Sequence, residues 1–280
     1  MKLSVITINY NNLYGLKKTI ESVLSQVLQP FEYILVDGGS TDGSKEYIEL
    51  IGAENPGLSI KWVSEPDNGI YHAMNKGLKM ANGDYVQFLN SGDYLTGTHT
   101  LENFLAAGDG QHSVYYGNMV KLFAGRKVRD KGFAGRKPSM FDFYKGTLNH
   151  APTIIKKDLF EKYGVYDEKL RLVADWKWFL EAIVIGGEKI KYIDTDIVCF
   201  DMNGESNQNY GLCLTERNGV LNALLPGFVL NDYKQFASAV TRWQRLQRYP
   251  ATKLIMWAIE RFLFRYEKIK SSIKKETQVY

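Results

Sequence analysis

Four polar runs in the first 95 residues each follow a short apolar run, and they carry residue types suited to binding nucleotides and metal ions. These runs are Asn9–Asn12, Asp37–Asp42, Glu65–Gly69 and Asn90–Asp93. A carboxylate at Asp37 could accept a hydrogen bond from the imide N–H of a base such as uracil, and the glycines after it would let a ligand approach the backbone. Asp93 could hold Mg²⁺ or Mn²⁺ between two phosphates, because hard oxygen ligands suit these ions.

Each of these runs also has a structural interpretation. Asp37-Gly38-Gly39-Ser40 could be a tight turn, with Ser40 or Asp42 capping the next helix. Ser91-Gly92-Asp93 could be a plain turn. The runs lack the G-x-G-x-x-G spacing of a dinucleotide fold and the lysine of a P-loop, so neither of those nucleotide sites is expected.

The second half of the chain has candidates of its own. Asp175 stands at the start of a predicted helix that contains Trp176, and its carboxylate could take a proton from an attacking hydroxyl. An N-cap is the alternative role for Asp175. His150, within Asn149–Thr153, could be a structural hydrogen-bonding residue.

Alternating apolar patterns predict the elements that hold these residues. Strands are predicted over 3–8, 31–36, 58–63 and 85–89, and helices over 13–27, 41–51 and 71–80. Strands separated by helices of this length indicate right-handed βαβ units and a parallel sheet. Because such sheets bind ligands beyond the carboxyl ends of their strands, the four polar runs are expected to meet at one edge.

The remainder of the chain is less regular. Strands are predicted over 113–123, 153–155 and 189–200, helices over 158–163, 174–185 and up to 225, and a mobile loop over 125–137. Three parts follow: residues 1–95, residues 96–225, and a helical extension over 226–280. The fold class predicted from these patterns is α/β, with a mixed, mainly parallel sheet flanked by helices.

Composition and charge limit the class of protein. The 280 residues are 45% hydrophobic and 24% charged, which is typical of a folded domain and argues against disorder. Two cysteines imply no disulfide framework and fit a reducing compartment. With no secretory pattern at residues 1–7 and no apolar run of membrane-spanning length, a cytoplasmic location is expected.

Charge is distributed unevenly along the chain. The net charge is +4, but residues 242–280 carry ten basic and three acidic residues, which leaves the rest of the chain at −3. Residues 242–275 form a basic, aromatic and amphipathic pattern that could lie on an anionic membrane, on the inner face of the plasma membrane. The alternative is a helix packed on the body. Nucleic acid binding is not expected, because the body is acidic and no recognised module appears.

The order and spacing of several motifs resemble glycosyltransferase family 2. The motifs are Ser4–Asn11, Val36–Asp42, Asn75-Lys76-Gly77, Ala81–Tyr85 and Phe88–Asp93. The likeness is strong over residues 1–95, weaker from there to about residue 205, and absent beyond about residue 230. The resemblance implies a GT-A fold, in which a nucleotide-binding half joins an acceptor-binding half. Asn203-Gly204-Glu205-Ser206 is similar to a Gly-Gly-x-Ser segment of the family, with a departure at its first position.

The resemblance also implies roles for individual residues. By position, the residues that would bind the nucleotide are Thr7, Asn9, Asn11, Asp37, Asp67 and Ser91. Asp93 would be the metal ligand and Asp175 the catalytic base. His150 and Trp176 would contact the acceptor or a phosphate. Two positions depart from the family pattern. Asn90 replaces the leading acid of the metal motif, and Ala174 replaces the acid before the catalytic base.

The function predicted is the transfer of a sugar, with inversion, from a nucleotide-diphosphate sugar to a hydroxyl of a glycan or lipid-linked oligosaccharide. The expected donor is a UDP-sugar, and the expected cofactor is Mn²⁺ or Mg²⁺. Two alternatives remain open. A sugar-1-phosphate nucleotidyltransferase would need a glycine-rich loop after the first strand, where this chain has Asn9-Tyr10-Asn11-Asn12. A non-catalytic nucleotide-sugar-binding protein is compatible with a single carboxylate in the metal motif.

Overall fold

A computed structural model describes residues 1–123, 126–201 and 209–276 of the chain. The chain forms two compact units, residues 1–221 and residues 222–280. Both predicted parts of the body, 1–95 and 96–225, contribute strands to a single sheet in the first unit. The segment Asn203-Gly204-Glu205-Ser206 lies outside the described residues.

Strands and helices alternate through the first half. The strands are β1 (Leu3–Asn9), β2 (Glu32–Asp37), β3 (Ile60–Ser64), β4 (Tyr85–Phe88) and β5 (Tyr94–Leu95). The helices are α1 (Leu13–Leu24), α2 (Ser44–Glu54), α3 (Ile70–Met80) and α4 (Thr100–Ala106). The predicted strands and helices are present, with ends shifted by a few residues; β5 and α4 were not predicted from the sequence.

The second half adds four strands and several short helices. The strands are β6 (Val114–Phe123), β7 (Arg126–Asp130), β8 (Thr153–Lys156) and β9 (Ile190–Asp201). The helices are α5 (Met140–Lys145), α6 (Asp158–Tyr163), α7 (Ala174–Phe179) and α8 (Tyr210–Leu224). The predicted helix over 174–185 is α-helical only to Phe179 and continues as a π-helix over Leu180–Ile185.

Within the described residues the strands form one sheet in the order β3-β2-β1-β4-β8-β6-β9-β5, with β7 paired to β6. β1 to β4 are mutually parallel, and β8 is antiparallel to both β4 and β6. The sheet is therefore mixed, and its parallel part carries the four polar runs. Strands β1 and β2 are buried along their whole length, as expected for parallel strands covered by helices on both faces.

Helix α1 covers one face with Leu16, Ile20 and Val23, which are fully buried. Their spacing of three and four residues places them on one side of the helix. Helix α3 lies against β1 and β2 close to Gly77, where an added Cβ would come within 2.4 Å of Ile6 Cγ2 and 3.3 Å of Val36 Cγ2. The absence of a side chain at Gly77 therefore sets how closely α3 approaches the sheet.

The Ala81–Tyr85 motif has a structural role at the opposite edge of the sheet. Glu32 is buried, and its carboxylate accepts hydrogen bonds from Ser4 Oγ at 2.7 Å, Lys61 Nζ at 2.5 Å and the backbone N–H of Asn82. Burial raises the pKa of Glu32, but these hydrogen bonds outweigh it and the pKa is lowered. Gly83 donates its N–H to Ser4 Oγ at 2.9 Å, which closes the turn against β1.

The prediction of a mobile loop over 125–137 was wrong for the part that the structure describes. Residues 126–130 form β7, and the Lys121–Asp130 ion pair at 2.7 Å joins it to β6. Phe133 is buried, and Tyr116 OH accepts a hydrogen bond from Gly135 N–H at 3.1 Å. The prediction rested on the Gly, Lys and Arg content of the segment. In the structure the segment is held in place because β7 pairs with β6 and the Phe133 ring is buried.

The second unit contains α9 (Gly227–Leu246) and α10 (Pro250–Glu276). On α10, large apolar side chains are exposed; these include Leu254, Ile255, Trp257, Ile259, Phe262, Leu263, Phe264 and Tyr266. Arg261 lies over the Trp257 ring at 4.8 Å. No helix among the described residues is long and apolar enough to span a membrane.

Close packing at Gly77 gives a test of the fold. We expect Gly77→Ala to lower the free energy of unfolding by about 1–3 kcal/mol, because the new methyl group would overlap Ile6. Gly52→Ala on α2 is the matched control: its Cβ would meet Trp62 at an ordinary 3.6 Å, and alanine favours a helix. Thermal and denaturant unfolding measure both variants. Equal stability of Gly77→Ala and the unchanged chain would contradict the packing argument.

Candidate functional site

The carboxyl ends of β1 and β2 meet at Asn9 and Asp37, which are opposite each other in the sheet register. Asp37 accepts four hydrogen bonds from the chain. Oδ1 accepts from Asn9 Nδ2 at 2.9 Å and Ser40 Oγ at 2.6 Å, and Oδ2 accepts from the Ser40 N–H at 2.9 Å and Ser64 Oγ at 2.8 Å. This carboxylate thus ties together the ends of three neighbouring strands and the loop after β2.

Asp37 is fully buried, so burial raises its pKa, but the four donors outweigh burial and lower it. Its role in the structure is to hold the loop in shape. Thr7 is also fully buried; it donates to the carbonyl of Leu89 at 2.7 Å and lies 3.0 Å from Tyr33 OH. Thr7 therefore joins β1 to the end of β4 rather than lining an open surface.

The loop after β1 is fixed by its own amides. Asn11 has φ +47°, donates its N–H to Ser40 Oγ at 2.8 Å and accepts from the Thr41 N–H at 2.8 Å through Oδ1. Asn12 caps α1 by accepting from the Gly15 N–H at 3.1 Å. Beside this loop the ring of Tyr10 is 68% exposed, which leaves an aromatic surface open for stacking.

The Asn90–Asp93 loop follows β4 and is held by α1. Thr19 Oγ1 accepts from the Gly92 N–H at 3.0 Å and donates to the Asp93 carbonyl at 2.6 Å. Ser91 donates its N–H to the Ile8 carbonyl at 3.0 Å and receives the Asn12 amide at its own carbonyl at 3.1 Å. Asp93 is 6% exposed, in a loop whose backbone is anchored on both sides.

The residues at this loop can hold a divalent cation of the kind predicted. Asp93 supplies one carboxylate, and the buried Oδ1 of Asn90 has no hydrogen-bond partner among the described residues. No group of three or more His, Cys, Asp or Glu side chains that could bind a metal occurs in the described part of the chain. This donor set fits Mg²⁺ or Mn²⁺, which take one or two carboxylates and complete their coordination with phosphate and water.

Asp67 lies beside the loop after β2, close to Gly38. Its Oδ1 accepts from Lys76 Nζ at 2.6 Å and lies 3.1 Å from His72 Nδ1, and its Oδ2 faces Gly38, where an added Cβ would be 3.2 Å away. Lys76 also pairs with Glu65 at 2.9 Å. Helix α3 thus holds the 65–67 segment against the loop after β2.

Asp175 lies on the first turn of α7 and has two side-chain partners from distant parts of the chain. Its Oδ1 accepts from Tyr71 OH at 2.8 Å, and its Oδ2 lies 3.1 Å from His150 Nδ1. The N-cap position belongs to Val173, so Asp175 is not the cap of this helix. The Asp175 side chain is 16% exposed and the His150 side chain 21% exposed.

Burial raises the pKa of Asp175, but the hydrogen bond and charge of His150 and the hydrogen bond from Tyr71 lower it overall. Burial lowers the pKa of His150, but the hydrogen bond and charge of Asp175 and the charge of Asp93 raise it overall. The two groups therefore favour each other's charged form, and Asp175 is an ionised carboxylate at neutral pH.

His150 joins this pair to the loop after β4. It precedes β8, whose first residues lie beside the end of β4 because these strands are antiparallel. Its Nε2 lies 3.5 Å from Asn90 Nδ2. The structure thus brings Asp175, His150 and Asn90 together, next to the loop that contains Asp93.

Trp176 is in the core. It is 3% exposed, donates its indole N–H to the Phe143 carbonyl at 2.9 Å, and lies under the Arg217 guanidinium at 4.6 Å. Arg217 also donates to the carbonyls of Phe143 and Gly146. Trp176 therefore supports α7 from behind and presents little surface to an acceptor.

Several residues important here were not predicted from the sequence: Thr19, Ser64, Tyr71 and Arg217. Thr19 lies in the middle of α1, where no local pattern indicates a contact with the loop after β4. Tyr71 and Asp175 are 104 residues apart in the sequence, so their contact could not be predicted from spacing. Tyr71 lies between the Glu65–Gly69 run and the Asn75-Lys76-Gly77 motif and belongs to neither.

A separate polar cleft of about 620 Å³ lies between residues 96–100 and strands β6 and β9. Its charged side chains are paired with each other or with neighbours: Arg129 with Asp196 at 2.6 Å, and Asp194 with Lys131 at 2.9 Å. It contains none of the predicted site residues.

Comparison with known proteins identifies the family. Residues 4–163 match the family described as Glycosyl transferase family 2, which is more than half of the chain. The chain belongs to glycosyltransferase family 2. This confirms the family predicted from the motifs and, with it, the enzyme class.

Relatives of this family 2 chain include mycobacterial proteins. An "uncharacterized glycosyltransferase" of Mycobacterium tuberculosis is 37% identical over 188 residues, covering 65% of this chain and 69% of the relative. A "PGL/p-HBAD biosynthesis glycosyltransferase" of Mycobacterium bovis is 32% identical over 180 residues, covering 62% of this chain and 66% of the relative.

Solved structures confirm the predicted GT-A fold of this family 2 chain. Residues 1–349 of Staphylococcus aureus TarS, crystallised with UDP-GlcNAc, align with a TM-score of 0.62 at 24% identity, covering 75% of this chain and 61% of TarS 1–349. A mannosyltransferase of Pyrobaculum calidifontis, in complex with GDP-Man and Mn²⁺, aligns with a TM-score of 0.57 at 18% identity. The alignment covers 75% of this chain and 59% of the mannosyltransferase chain. This chain spans about three fifths of each of those chains.

The hydrogen bonds of Asp37 predict a pH-dependent stability. In the folded state the pKa of Asp37 lies below the ordinary value of 3.8. The stabilisation that the ionised Asp37 contributes to folding is therefore fully present above pH 3.8 and is lost as the pH falls through the folded-state pKa. We expect Asp37→Asn to lower the free energy of unfolding by about 2–3 kcal/mol at pH 7. The difference from the unchanged chain should shrink as the pH falls below about 4.

Denaturant unfolding from pH 7 to pH 3 measures this difference. Asp158→Asn is the control, since the Asp158 side chain is 55% exposed and, in the described part of the chain, its ion pair is with Lys156 at 2.6 Å. It should change stability little. A difference for Asp37→Asn that stays constant over the whole pH range would contradict the assignment.

Proposed function

We propose that this family 2 enzyme transfers a sugar with inversion from a nucleotide-diphosphate sugar to a hydroxyl acceptor, with Asp175 as the catalytic base. The observation that carries the proposal is the arrangement of Asp175, His150 and Asn90, which places an ionised carboxylate beside the loop that would receive the diphosphate. A base on one side of the anomeric carbon and a leaving group on the other produce inversion.

The donor would lie across the carboxyl ends of β1, β2 and β4. Tyr10 and Asp67 flank Gly38 and would contact the base and ribose, while Asn9, Asn11, Asp37 and Ser91 shape the surface around them. A uridine diphosphate sugar is the donor we favour, because TarS, which aligns over three quarters of this chain, was crystallised with UDP and with UDP-GlcNAc.

Asp93, with Asn90 Oδ1, would hold Mg²⁺ or Mn²⁺ together with oxygens of the diphosphate. When bound, the ion would neutralise negative charge on the leaving diphosphate. The Pyrobaculum mannosyltransferase binds Mn²⁺ with its donor, which supports a metal in this fold. The anchoring of the loop by Thr19 would keep Asp93 in place as the donor enters.

Asp175 would take the proton of the acceptor hydroxyl as that oxygen attacks. His150 holds Oδ2 of the carboxylate, and the charges of Asp175 and Asp93 raise the pKa of the imidazole, which favours its positively charged form near the diphosphate position. That charge would stabilise the negative charge that develops on the leaving group. Most of the rate enhancement would come from this positioning and charge stabilisation.

The acceptor would be a glycan or a lipid-linked oligosaccharide at the surface of an anionic membrane, the inner face of the plasma membrane being the expected place. The name of the mycobacterial relative, a PGL/p-HBAD biosynthesis glycosyltransferase, supports a role in glycoconjugate assembly. The exposed apolar residues of α10, combined with a net charge of +7 over 242–280, would hold the enzyme at such a surface.

Two variants separate the catalytic base from the metal site. We expect Asp175→Asn to lower kcat by about a thousandfold or more, as removal of a general base does in the absence of another. Asp175→Asn should keep metal-dependent thermal stabilisation by the nucleotide sugar, since its carboxylate lies outside the donor site. Asp93→Ala should lose that stabilisation.

Thermal unfolding with a panel of UDP-, GDP- and dTDP-sugars, with and without Mn²⁺, identifies the donor, because a bound ligand stabilises the folded protein.

Near-normal turnover by Asp175→Asn would remove Asp175 as the base. Unchanged metal-dependent turnover by Asp93→Ala would show that the ion binds elsewhere or is not required. Release of nucleoside diphosphate, rather than pyrophosphate, distinguishes sugar transfer from nucleotidyl transfer.

Membrane binding by α10 can be tested with two double variants. We expect Phe262→Ser with Phe264→Ser to abolish cosedimentation with phosphatidylglycerol vesicles, and Arg261→Gln with Arg265→Gln to weaken it in a salt-dependent way. Lys45→Gln with Lys169→Gln, which removes two exposed lysines of the body, is the charge-matched control and should bind normally. Equal binding by all variants would contradict the role of α10.

A further inference from the structure

Tyr71 makes a contact that neither the motif comparison nor the proposed mechanism uses. It is the second residue of α3, its ring is buried, and its hydroxyl donates to Asp175 Oδ1 at 2.8 Å. The other oxygen, Oδ2, faces His150 at 3.1 Å. A side-chain partner on each oxygen restrains the plane of the carboxylate, which limits the directions of the lone pairs that remain for an acceptor hydroxyl.

The place of Tyr71 is itself fixed by the donor side of the site. The next residue, His72, lies 3.1 Å from Asp67, and one turn later Lys76 pairs with Asp67 at 2.6 Å. Asn75 receives the Tyr166 N–H at 3.1 Å and donates to the Tyr166 carbonyl at 2.9 Å. Helix α3 is therefore attached both to the segment that would contact the nucleotide and to the segment that leads to Asp175.

We propose that Tyr71 is a positioning residue, whose hydroxyl orients the Asp175 carboxylate toward the acceptor. Tyr71 does not touch the reacting atoms; it acts through Asp175. The inference rests on the proposed function, because it requires Asp175 to be the base. It adds that the orientation of this base depends on the first turn of α3, an element that also contacts the donor side.

Tyr166 provides a matched control. Its ring lies 5.6 Å from the Tyr71 ring and is equally buried, but its hydroxyl has no hydrogen-bond partner among the described residues. Tyr71→Phe and Tyr166→Phe each remove one buried hydroxyl from the same aromatic cluster. Only Tyr71→Phe removes a hydrogen bond to Asp175.

The groups that face Asp175 define the expected pH profile. They are Tyr71 from α3, His150 from the segment before β8, Tyr166 from the segment before α7, and Arg217 with Cys213 from α8. Of these, Tyr71 and His150 donate hydrogen bonds to the carboxylate, which favour its charged form. Loss of the Tyr71 hydroxyl should therefore move the acidic limb of the kcat/KM profile to higher pH.

Steady-state kinetics of the full chain, with the donor sugar found in the panel, test the inference. We expect Tyr71→Phe to lower kcat by about 10- to 100-fold, the effect of one hydrogen bond to a charged group. The donor KM should stay within about twofold, since Asp67 and Lys76 are unchanged, and the acidic limb should shift upward. Tyr166→Phe should show normal kcat and an unshifted limb.

The outcomes separate this inference from the proposed function. If Asp175→Asn abolishes turnover while Tyr71→Phe behaves like Tyr166→Phe, the positioning role is wrong and the base assignment stands. If Asp175→Asn turns over normally, the proposed base is wrong and this inference is wrong with it. A lower kcat for Tyr71→Phe with an unshifted limb and a raised donor KM would indicate displacement of α3, which also overturns the proposal. Thermal unfolding confirms that each variant is folded.

Discussion

The close approach of α3 to the sheet is the constraint on which the rest of the site depends. Gly77 allows the helix to lie against Ile6 and Val36, where any side chain would overlap. At that distance Lys76 reaches Asp67 and Asn75 reaches the backbone of Tyr166. The three residues of the Asn75-Lys76-Gly77 motif therefore have three separate roles: contact with the sheet, with the donor side and with the acceptor half.

Two departures from the family pattern are explained by the surroundings of each position. Ala174 is 1% exposed, so a second acid there would be buried, and burial opposes its ionisation. At Asn90, the amide faces His150 at 3.5 Å, and a neutral side chain leaves Asp93 as the carboxylate of that loop. Both sites thus keep one carboxylate, and His150 lies between them with a raised pKa.

The sequence predicted the strands of the first half and the placement of Asp37 and Asp93 after the carboxyl ends of parallel strands. These follow from local periodicity and from the rule that parallel strands present their carboxyl ends together. Whether each side chain faces the core or the ligand-binding edge could not be predicted in the same way. Thr7 and Trp176 lie in motifs associated with binding but are buried, because whether a residue faces the core or the cleft depends on the register between distant strands. Contacts such as Tyr71 with Asp175 join residues 104 positions apart and leave no local pattern.

The anchoring of the Asn90–Asp93 loop has a consequence for the thermodynamics of donor binding. Thr19, Asn12 and the Ile8 carbonyl already fix its backbone. Ordering a free residue costs about 1–2 kcal/mol in conformational entropy, so a loop ordered in advance spares the ligand that cost. Favourable contacts with the diphosphate then appear directly in affinity. The protein's share of the entropic penalty for donor binding at this loop should accordingly be small.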